Sequence, residues 1–256
     1  MNIWSYDNTF EGFLTLVFQC YDRKLFPDKI LRNDADQYTL FKAGYDVISD
    51  EKRAKRVWDG LHTRISAESC RILYYAFLSE IPDIENEILN YIRKVFESRT
   101  NIEMDFRSNE VLEMFKTGKK VSREAHRILM FTRFQKTTDE IYYASFDPRY
   151  NVLPLTIKHF ENRFADQKWI IYDTRRNFGF YYDMKDTREM KLVNSQIDYA
   201  TGRIDESILD KDELLLQELW KSYFDSMCIK ERINPKLHVQ LLPKRFWKYL
   251  PEKNRG

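Results

Sequence analysis

The spacing of apolar residues changes near the middle of this 256-residue chain. Between residues 49 and 98, apolar side chains recur every three or four positions, as they do in helices that pack through one face. After Val121, short runs rich in β-branched and aromatic residues take over, which favours strands. The sequence therefore predicts a mainly helical region over 1–120 and a sheet region over 121–195.

The predicted strands come in two pairs, each joined by a short turn, and residues 151–164 between the pairs return to helical spacing. Short hairpins join antiparallel strands, so we expect a mostly antiparallel sheet in the order strand–strand–helix–strand–strand. The fold class is then α+β, in a single domain over 1–256 that ends in a helix and a basic-aromatic tail over 210–256. The four strands are predicted at 125–135, 140–146, 169–172 and 178–182.

Positive charge is concentrated at the end of the chain. Residues 226–256 contain eight lysines and arginines and two glutamates, whereas the whole protein has a formal net charge of only +2. Aromatic residues stand among these cations. Lysine and arginine neutralise phosphates and flat rings stack on bases, so this pattern predicts nucleic-acid binding. The candidate contacts in the tail are Arg232, Lys236, Arg245, Trp247, Lys248 and Tyr249.

The same tail also fits a structural role. Pro235, Pro243 and Pro251 exclude one long basic helix, because proline interrupts helical hydrogen bonding. A tail in short pieces could wrap the domain and leave its cations merely solvated. The side chains it would bury are Leu237, Val239, Leu241, Phe246, Trp247 and Leu250. The two roles are compatible, so both stay open at this point.

Basic and aromatic residues also occur in the predicted sheet region. Alternate residues of a strand face the same side, so Arg127 and Arg133 are expected to project together, next to Tyr143 on the adjacent strand. His159 and Arg163 lie four apart on the predicted helix and share a face. These groups could hold phosphates and stack a base. They equally fit a half-buried hairpin and an ordinary surface helix.

Four residues could act as acid or base groups. Asp147 and Asp173 each follow a predicted strand, and His126 or His159 could exchange protons near neutral pH. For Asp173 there is a structural alternative, in which the carboxylate caps the turn and pairs with Arg176. Otherwise Arg176 is a further candidate for phosphate contact.

The chain lacks the patterns of several cofactor and metal sites. Its three cysteines are widely spaced and no Cys/His pair has metal-ligand spacing, so we expect neither a metal nor a disulfide. Phosphate-loop, dinucleotide-binding and zinc-protease motifs are absent, and no cofactor is expected. There is no secretory signal and no apolar run near the ~20 residues of a membrane span. The sequence predicts a soluble, cytoplasmic protein without a membrane partner.

Several segments also carry a family resemblance: residues 6–14, 125–127 with 133–134, 142–144 with 147–148, 159–160 with 163–164, 169–173, 232–236 and 243–252. Over nearly its whole length the chain resembles a family of uncharacterised bacterial proteins associated with DNA metabolism or DNA repair. Members are typically encoded beside a radical-SAM protein, and a similar domain occurs fused to uracil-DNA-glycosylase-like domains. The resemblance implies a DNA-repair setting and a protein partner, and assigns no catalytic residue.

Together the residues and the resemblance predict an accessory protein that binds damaged or distorted DNA. It would act with a radical-SAM or uracil-DNA-glycosylase-like partner. One alternative is a cofactor-free DNA-processing enzyme, either a glycosylase, a lyase or a nuclease. Another is a protein-interaction scaffold whose tail docks a partner without touching DNA.

Overall fold

The computed structural model describes residues 2–33, 44–192, 197–198 and 203–253. The chain divides into two compact units, Met1–Ser122 and Arg123–Gly256. This division lies close to the boundary at residue 120 predicted from the change in spacing. The single domain over 1–256 stays a prediction.

The N-terminal unit opens with a parallel sheet in the strand order β2-β1-β3. The central strand β1 (Ile3–Tyr6) is fully buried between β2 (Lys29–Arg32) and β3 (Tyr45–Val47). Parallel neighbours need a crossover connection. Helix α1 (Phe10–Arg23) forms the crossover connection from β1 to β2, and the Thr9 hydroxyl caps its first turn.

Three successive helices confirm the helical spacing found in this part of the sequence. They are α2 (Glu51–His62), α3 (Ala67–Phe77) and α4 (Ile84–Glu97). The side chains of Asp50 and Ser66 cap α2 and α3 by accepting a backbone N–H three residues further on. Each helix buries one face in the core of the N-terminal unit.

The longest helix corrects the first predicted hairpin. Helix α5 (Asn109–Phe131) covers most of residues 125–135, so the strand predicted there is wrong. Only β4 (Gln135–Lys136) pairs with the following strand. The reason lies in the spacing, because the buried side chains of α5 recur every three or four residues. They are Val111, Met114, Thr117, Val121, Glu124, Ala125 and Ile128.

Gly118 lies inside α5 and does not end it. A Cβ atom at this position would lie 2.8 Å from the carbonyl oxygen of Ile72 in α3, which is closer than side chains pack. Glycine therefore allows the backbones of α3 and α5 to approach one another, and the helix continues through it.

The C-terminal unit is built on a five-stranded sheet in the order β4-β5-β6-β7-β8. Its longer strands are β5 (Ile141–Phe146), β6 (Lys168–Asp173), β7 (Phe178–Tyr182) and β8 (Thr187–Met190). Among the described strands of this sheet, β5 and β6 pair in parallel and the other neighbours pair antiparallel, which confirms a mostly antiparallel sheet. Helix α6 (Ile157–Arg163) connects them, so the predicted order of strands and helix is confirmed. The last residues of the predicted sheet region, 193–195, lie outside the described residues.

Helix α7 (Glu213–Met227) corresponds to the helix predicted after residue 210. The tail then continues in short pieces, as its prolines require: α8 (Pro235–Leu241) and 3-10 helices at Lys244–Tyr249 and Pro251–Lys253. Throughout the described residues, no helix is long and apolar enough to cross a membrane.

Candidate functional site

The carboxyl ends of β5 and β6 lie at one edge of the sheet, because these strands run parallel. Both the N–H and the hydroxyl of Thr174 donate to the Phe146 carbonyl, at 2.8 and 2.9 Å, and join the two strand ends. Contacts described below bring further charged side chains to this edge. We call the set the carboxyl-end cluster: Glu124, Arg127, Asp147, Arg149, Asp173, Arg175, Arg176, Arg245 and Lys248.

Asp173 organises the turn after β6. Its fully buried carboxylate accepts the N–H groups of Arg175 and Arg176 at 2.9 and 3.0 Å, and it lies 2.8 Å from Nη1 of Arg176. The Arg176 guanidinium also donates to the carbonyls of Pro148 and Arg149, at 3.2 and 3.3 Å. Burial raises the pKa of the Asp173 carboxyl, while Arg176 and the turn N–H groups oppose this. The turn-capping role predicted as the alternative is confirmed.

Glu124 holds α5, the segment after β5 and the tail together. Its carboxylate is 2% exposed and accepts the Arg149 N–H at 3.0 Å. The same carboxylate pairs with the Arg245 guanidinium and lies 3.7 Å from Nη1 of Arg127. Arg127 in turn donates to the Gln240 carbonyl at 3.5 Å. Arg127 and Arg245, both predicted to contact phosphates, are therefore already paired with a buried carboxylate.

Lys248 completes the cluster from the tail, and Tyr249 packs beside it. The Lys248 ammonium lies 3.9 Å from the Asp147 carboxylate and 4.8 Å from the Tyr249 ring centroid. The Tyr249 ring packs against Phe146 with 5.9 Å between centroids. Burial raises the pKa of the Tyr249 hydroxyl, and the nearby Asp147 and Asp173 contribute in the same direction. Tyr249 thus packs on the sheet edge.

A second buried carboxylate fixes the end of the tail outside the cluster. Glu252 accepts from Arg133 at 2.8 Å and from the Trp220 indole N–H at 2.9 Å. The Arg133 guanidinium also lies 5.3 Å from the Trp220 ring centroid. Arg133 is therefore an anchor for the tail, and it follows α5 rather than lying on a strand beside Arg127.

The remaining tail aromatics show that the tail wraps the unit. Phe246 and Leu250 are buried, as the structural alternative predicted, and Val239 is half-buried. Leu237 and Leu241 are 49% and 60% exposed, so the burial predicted for these two is wrong. Trp247 is half-buried and donates its indole N–H to the Leu242 carbonyl at 3.0 Å. Arg232 and Lys236 differ from the anchored cations: both are exposed, and within the described chain neither has a carboxylate partner.

Three other candidates lie away from the cluster or are covered. Tyr143 is 3% exposed and packs with Tyr172 and Ile204, so its ring has no face for a base. The segment after α6 lies at the opposite edge, because the Tyr182 hydroxyl donates to the Ala165 carbonyl and Tyr182 pairs with Trp169. There His159 contacts the Phe160 ring, and the Arg163 guanidinium lies over Phe164.

The four acid–base candidates do not come together. Asp147 and Asp173 share the sheet edge, but Asp173 is occupied by its turn and by Arg176. His126 and His159 are exposed on different helices, and in the described part of the chain neither imidazole has a hydrogen-bond partner. The described residues also contain no group of three His, Cys, Asp or Glu side chains that could hold a metal ion.

The carboxyl-end cluster contains six basic residues and three acidic ones, so positive charge is in excess. The three carboxylates bind the arginines and the lysine that hold the edge together. Two exposed arginines are left over, since neither the Arg149 nor the Arg175 guanidinium has a carboxylate partner among the described residues. An exposed guanidinium on a rigid edge presents a fork of donors to a phosphate.

Sequence reasoning missed Glu124 and Glu252, buried glutamates that each pair with an arginine. Each is the sole acidic residue among nearby basic and aromatic ones, as in the stretch from Pro243 to Lys253. Such an isolated carboxylate in a basic segment is the only signal that could have identified them, because burial follows from contacts distant in sequence.

A family model matches residues 82–252, which is more than half of the chain. Its description is a domain of unknown function, DUF4130. The chain belongs to the DUF4130 family. The DUF4130 match includes every residue of the carboxyl-end cluster and begins after α3. Neither the curated proteins nor the solved structures compared with the chain give a match.

Proposed function

We propose that this protein binds DNA and acts as an accessory in DNA repair, together with a radical-SAM or uracil-DNA-glycosylase-like partner. The observation that supports DNA binding best is the charge excess of the carboxyl-end cluster. Three carboxylates anchor the edge, and Arg149 and Arg175 are left exposed on it. The DNA-repair setting and the partner rest on the family resemblance of the sequence.

The cluster favours contact with the phosphate backbone over recognition of particular bases. Contacts between guanidinium groups and phosphates position a protein on DNA, and such contacts carry no sequence information. Tyr143 is buried, the Trp247 ring already contacts His238 and Lys253, and the Tyr249 ring contacts Phe146 and Lys248, so base stacking is not part of the proposal. Arg232 and Lys236 provide a second exposed basic region along the tail.

The proposal predicts salt-sensitive binding that depends on the two exposed arginines. In a fluorescence-anisotropy titration of duplex DNA, the double variant Arg149→Gln/Arg175→Gln should bind about tenfold more weakly than the wild type at low salt. The slope of log K against log salt should become less steep by about 2, since two phosphate contacts are lost.

A control removes the same charge at the opposite edge of the sheet. Lys185→Gln/Arg188→Gln alters two exposed cations, one in the turn between β7 and β8 and one on β8, and should leave both the affinity and the slope unchanged. Equal losses from the two double variants would show a nonspecific charge effect. Absence of DNA binding by the wild type would remove the proposal.

A second candidate function, the interaction scaffold, is favoured by an apolar stripe on α7. Leu215, Leu219, Tyr223 and Met227 follow one another at intervals of four residues and are between 54% and 64% exposed. Residues at this spacing share one helix face. A helix with such a stripe resembles those that bind in apolar grooves of other proteins. In this reading the protein would bind its partner through α7.

If α7 docks a partner, a substitution in its apolar stripe should weaken partner binding without affecting DNA binding. Leu219→Glu should weaken binding of a purified radical-SAM or glycosylase-like protein by about tenfold or more, because it places a charge in the centre of the stripe. It should leave DNA affinity unchanged. Glu218→Ala, which alters an exposed neighbour off the stripe, is the control for calorimetric titration. Identical partner affinities for all three proteins would contradict a docking role for α7.

A further inference from the structure

The N-terminal unit contains a cleft of about 550 Å³ between α1, α2 and α3. This volume lies within the range of small-molecule sites, roughly 300–1,000 Å³. All of its lining residues precede residue 82, so the cleft lies outside the segment matched by the family model. It is also independent of the carboxyl-end cluster, which belongs to the other unit.

Three aromatic side chains form the wall of the cleft. The Phe10 ring packs edge-on against Trp58 and against Tyr74, with 5.4 and 5.0 Å between centroids and interplanar angles of 86° and 65°. All three rings are half-buried, so each leaves part of its surface open. Leu14 adds an apolar side chain to the lining. Rings set at steep angles to one another offer several π faces to one small ligand.

The charged residues of the lining favour a cationic ligand. Lys55 and Arg71 each pair with a carboxylate outside the lining, Asp59 at 2.8 Å and Glu68 at 3.4 Å. The lining carboxylates Glu11 and Glu51 have no cation partner in the part of the chain that the structure describes.

The lining itself places Glu11 beside the aromatic wall. Glu11 follows Phe10 on α1, and both residues line the cleft together with Tyr74. Burial raises the pKa of the Tyr74 hydroxyl, and the Glu11 carboxylate contributes to the same rise.

We infer that this cleft binds a small organic cation, with an aromatic or flat apolar body against Phe10, Trp58 and Tyr74 and an amino group held by Glu11 and Glu51. An ammonium group is attracted both to aromatic faces and to carboxylates. A neutral ligand of the same shape would pack against the aromatic rings but would lack the attraction to the two carboxylates. An anion of the same shape would be repelled.

Three indole compounds that differ in charge test the inference by calorimetric titration of the full-length protein. Tryptamine should bind about tenfold more tightly than its neutral analogue tryptophol, since a charged contact is lost. Indole-3-propionate should bind more weakly still. Equal affinities for the three compounds, or no binding of tryptamine, would overturn the inference.

Variants locate the site. Trp58→Ala should abolish tryptamine binding, and the milder Glu11→Gln and Glu51→Gln should reduce the preference for tryptamine over tryptophol without changing tryptophol affinity. Asp22→Asn, which alters an exposed acid of α1 off the lining, is the matched control and should behave as the wild type. A preference retained in both Glu11→Gln and Glu51→Gln would contradict the proposed amine contact, even if Trp58→Ala were to fold poorly. DNA binding should be unaffected throughout.

Discussion

Replacing Asp173 with alanine is expected to lower the free energy of unfolding of the C-terminal unit by about 4 kcal/mol. The substitution removes a fully buried carboxylate that accepts two turn N–H groups and pairs with Arg176 at 2.8 Å. It leaves Arg176, whose side chain is 15% exposed, without its counter-charge. A buried unpaired charge costs more than the pair contributes. Urea unfolding followed by circular dichroism measures the loss.

The turn between β7 and β8 provides a matched control. Asp183 accepts the N–H groups of Lys185 and Asp186 at 2.9 and 2.8 Å, which is the arrangement seen at Asp173. Its side chain is 31% exposed, however, and Arg188 lies 3.8 Å away. Asp183→Ala should therefore cost only about 1 kcal/mol. Equal losses at the two positions would contradict the importance of burial at Asp173.

The double variant Asp173→Ala/Arg176→Ala separates the ion pair from the turn. Removing both partners leaves no buried charge, so its loss of stability should be smaller than the sum of the two single losses. Additive losses would mean that the carboxylate acts only through the turn N–H groups.

Alanine at Gly179 is expected to cost about 3 kcal/mol, because the added methyl group has no room. Gly179 lies on β7 opposite Tyr172 of β6. A Cβ atom there would lie 2.4 Å from the Ile171 carbonyl oxygen and 2.6 Å from Cδ2 of Tyr172. The carbonyl belongs to the strand ladder, so relief requires β6 and β7 to separate. Hydrogen exchange of the amides in these strands should become faster.

Gly60→Ala is the control for Gly179→Ala. A Cβ atom at Gly60 in α2 would lie 3.4 Å from the Phe96 ring, which is an ordinary contact. Alanine also favours helix over glycine by up to about 1 kcal/mol. This variant should be as stable as the wild type or more stable. Wild-type stability of Gly179→Ala would show that β6 and β7 do not approach so closely.

The fold was predictable where apolar spacing alone decides the structure. Helices α2 to α4 each bury a face set by residues three or four apart, and this pattern is visible in the sequence. The strand predicted at 125–135 failed because residue types were weighed above spacing. Ile128 and Phe131 favour strands by composition, yet they continue the helical stripe that starts at Val111. The strands β2 and β3 were missed because short parallel strands are defined by partners far away in sequence.

The residue types of the candidate site were predictable, but the pairing between its charged side chains was not. The sequence shows that Arg133, Arg245 and Lys248 are basic, but it does not show which carboxylate each one meets. Glu124 and Arg245 are 121 positions apart, and only the folded chain brings them together. Asp173 with Arg176 was predictable as an alternative because both lie within one turn. Local contacts follow from local sequence, and the anchoring of the tail does not.

Helix α5 passes through the division after Ser122, and this determines where the chain can be shortened. A fragment beginning at Arg123 would start in the middle of the helix, so its first amides would lose their carbonyl acceptors one turn earlier. Helix ends fray, and Glu124 would then sit in a fraying turn and release Arg245 with the tail. A fragment beginning at Asn109 keeps the whole helix. The C-terminal unit is therefore best expressed with the preceding helical turns attached.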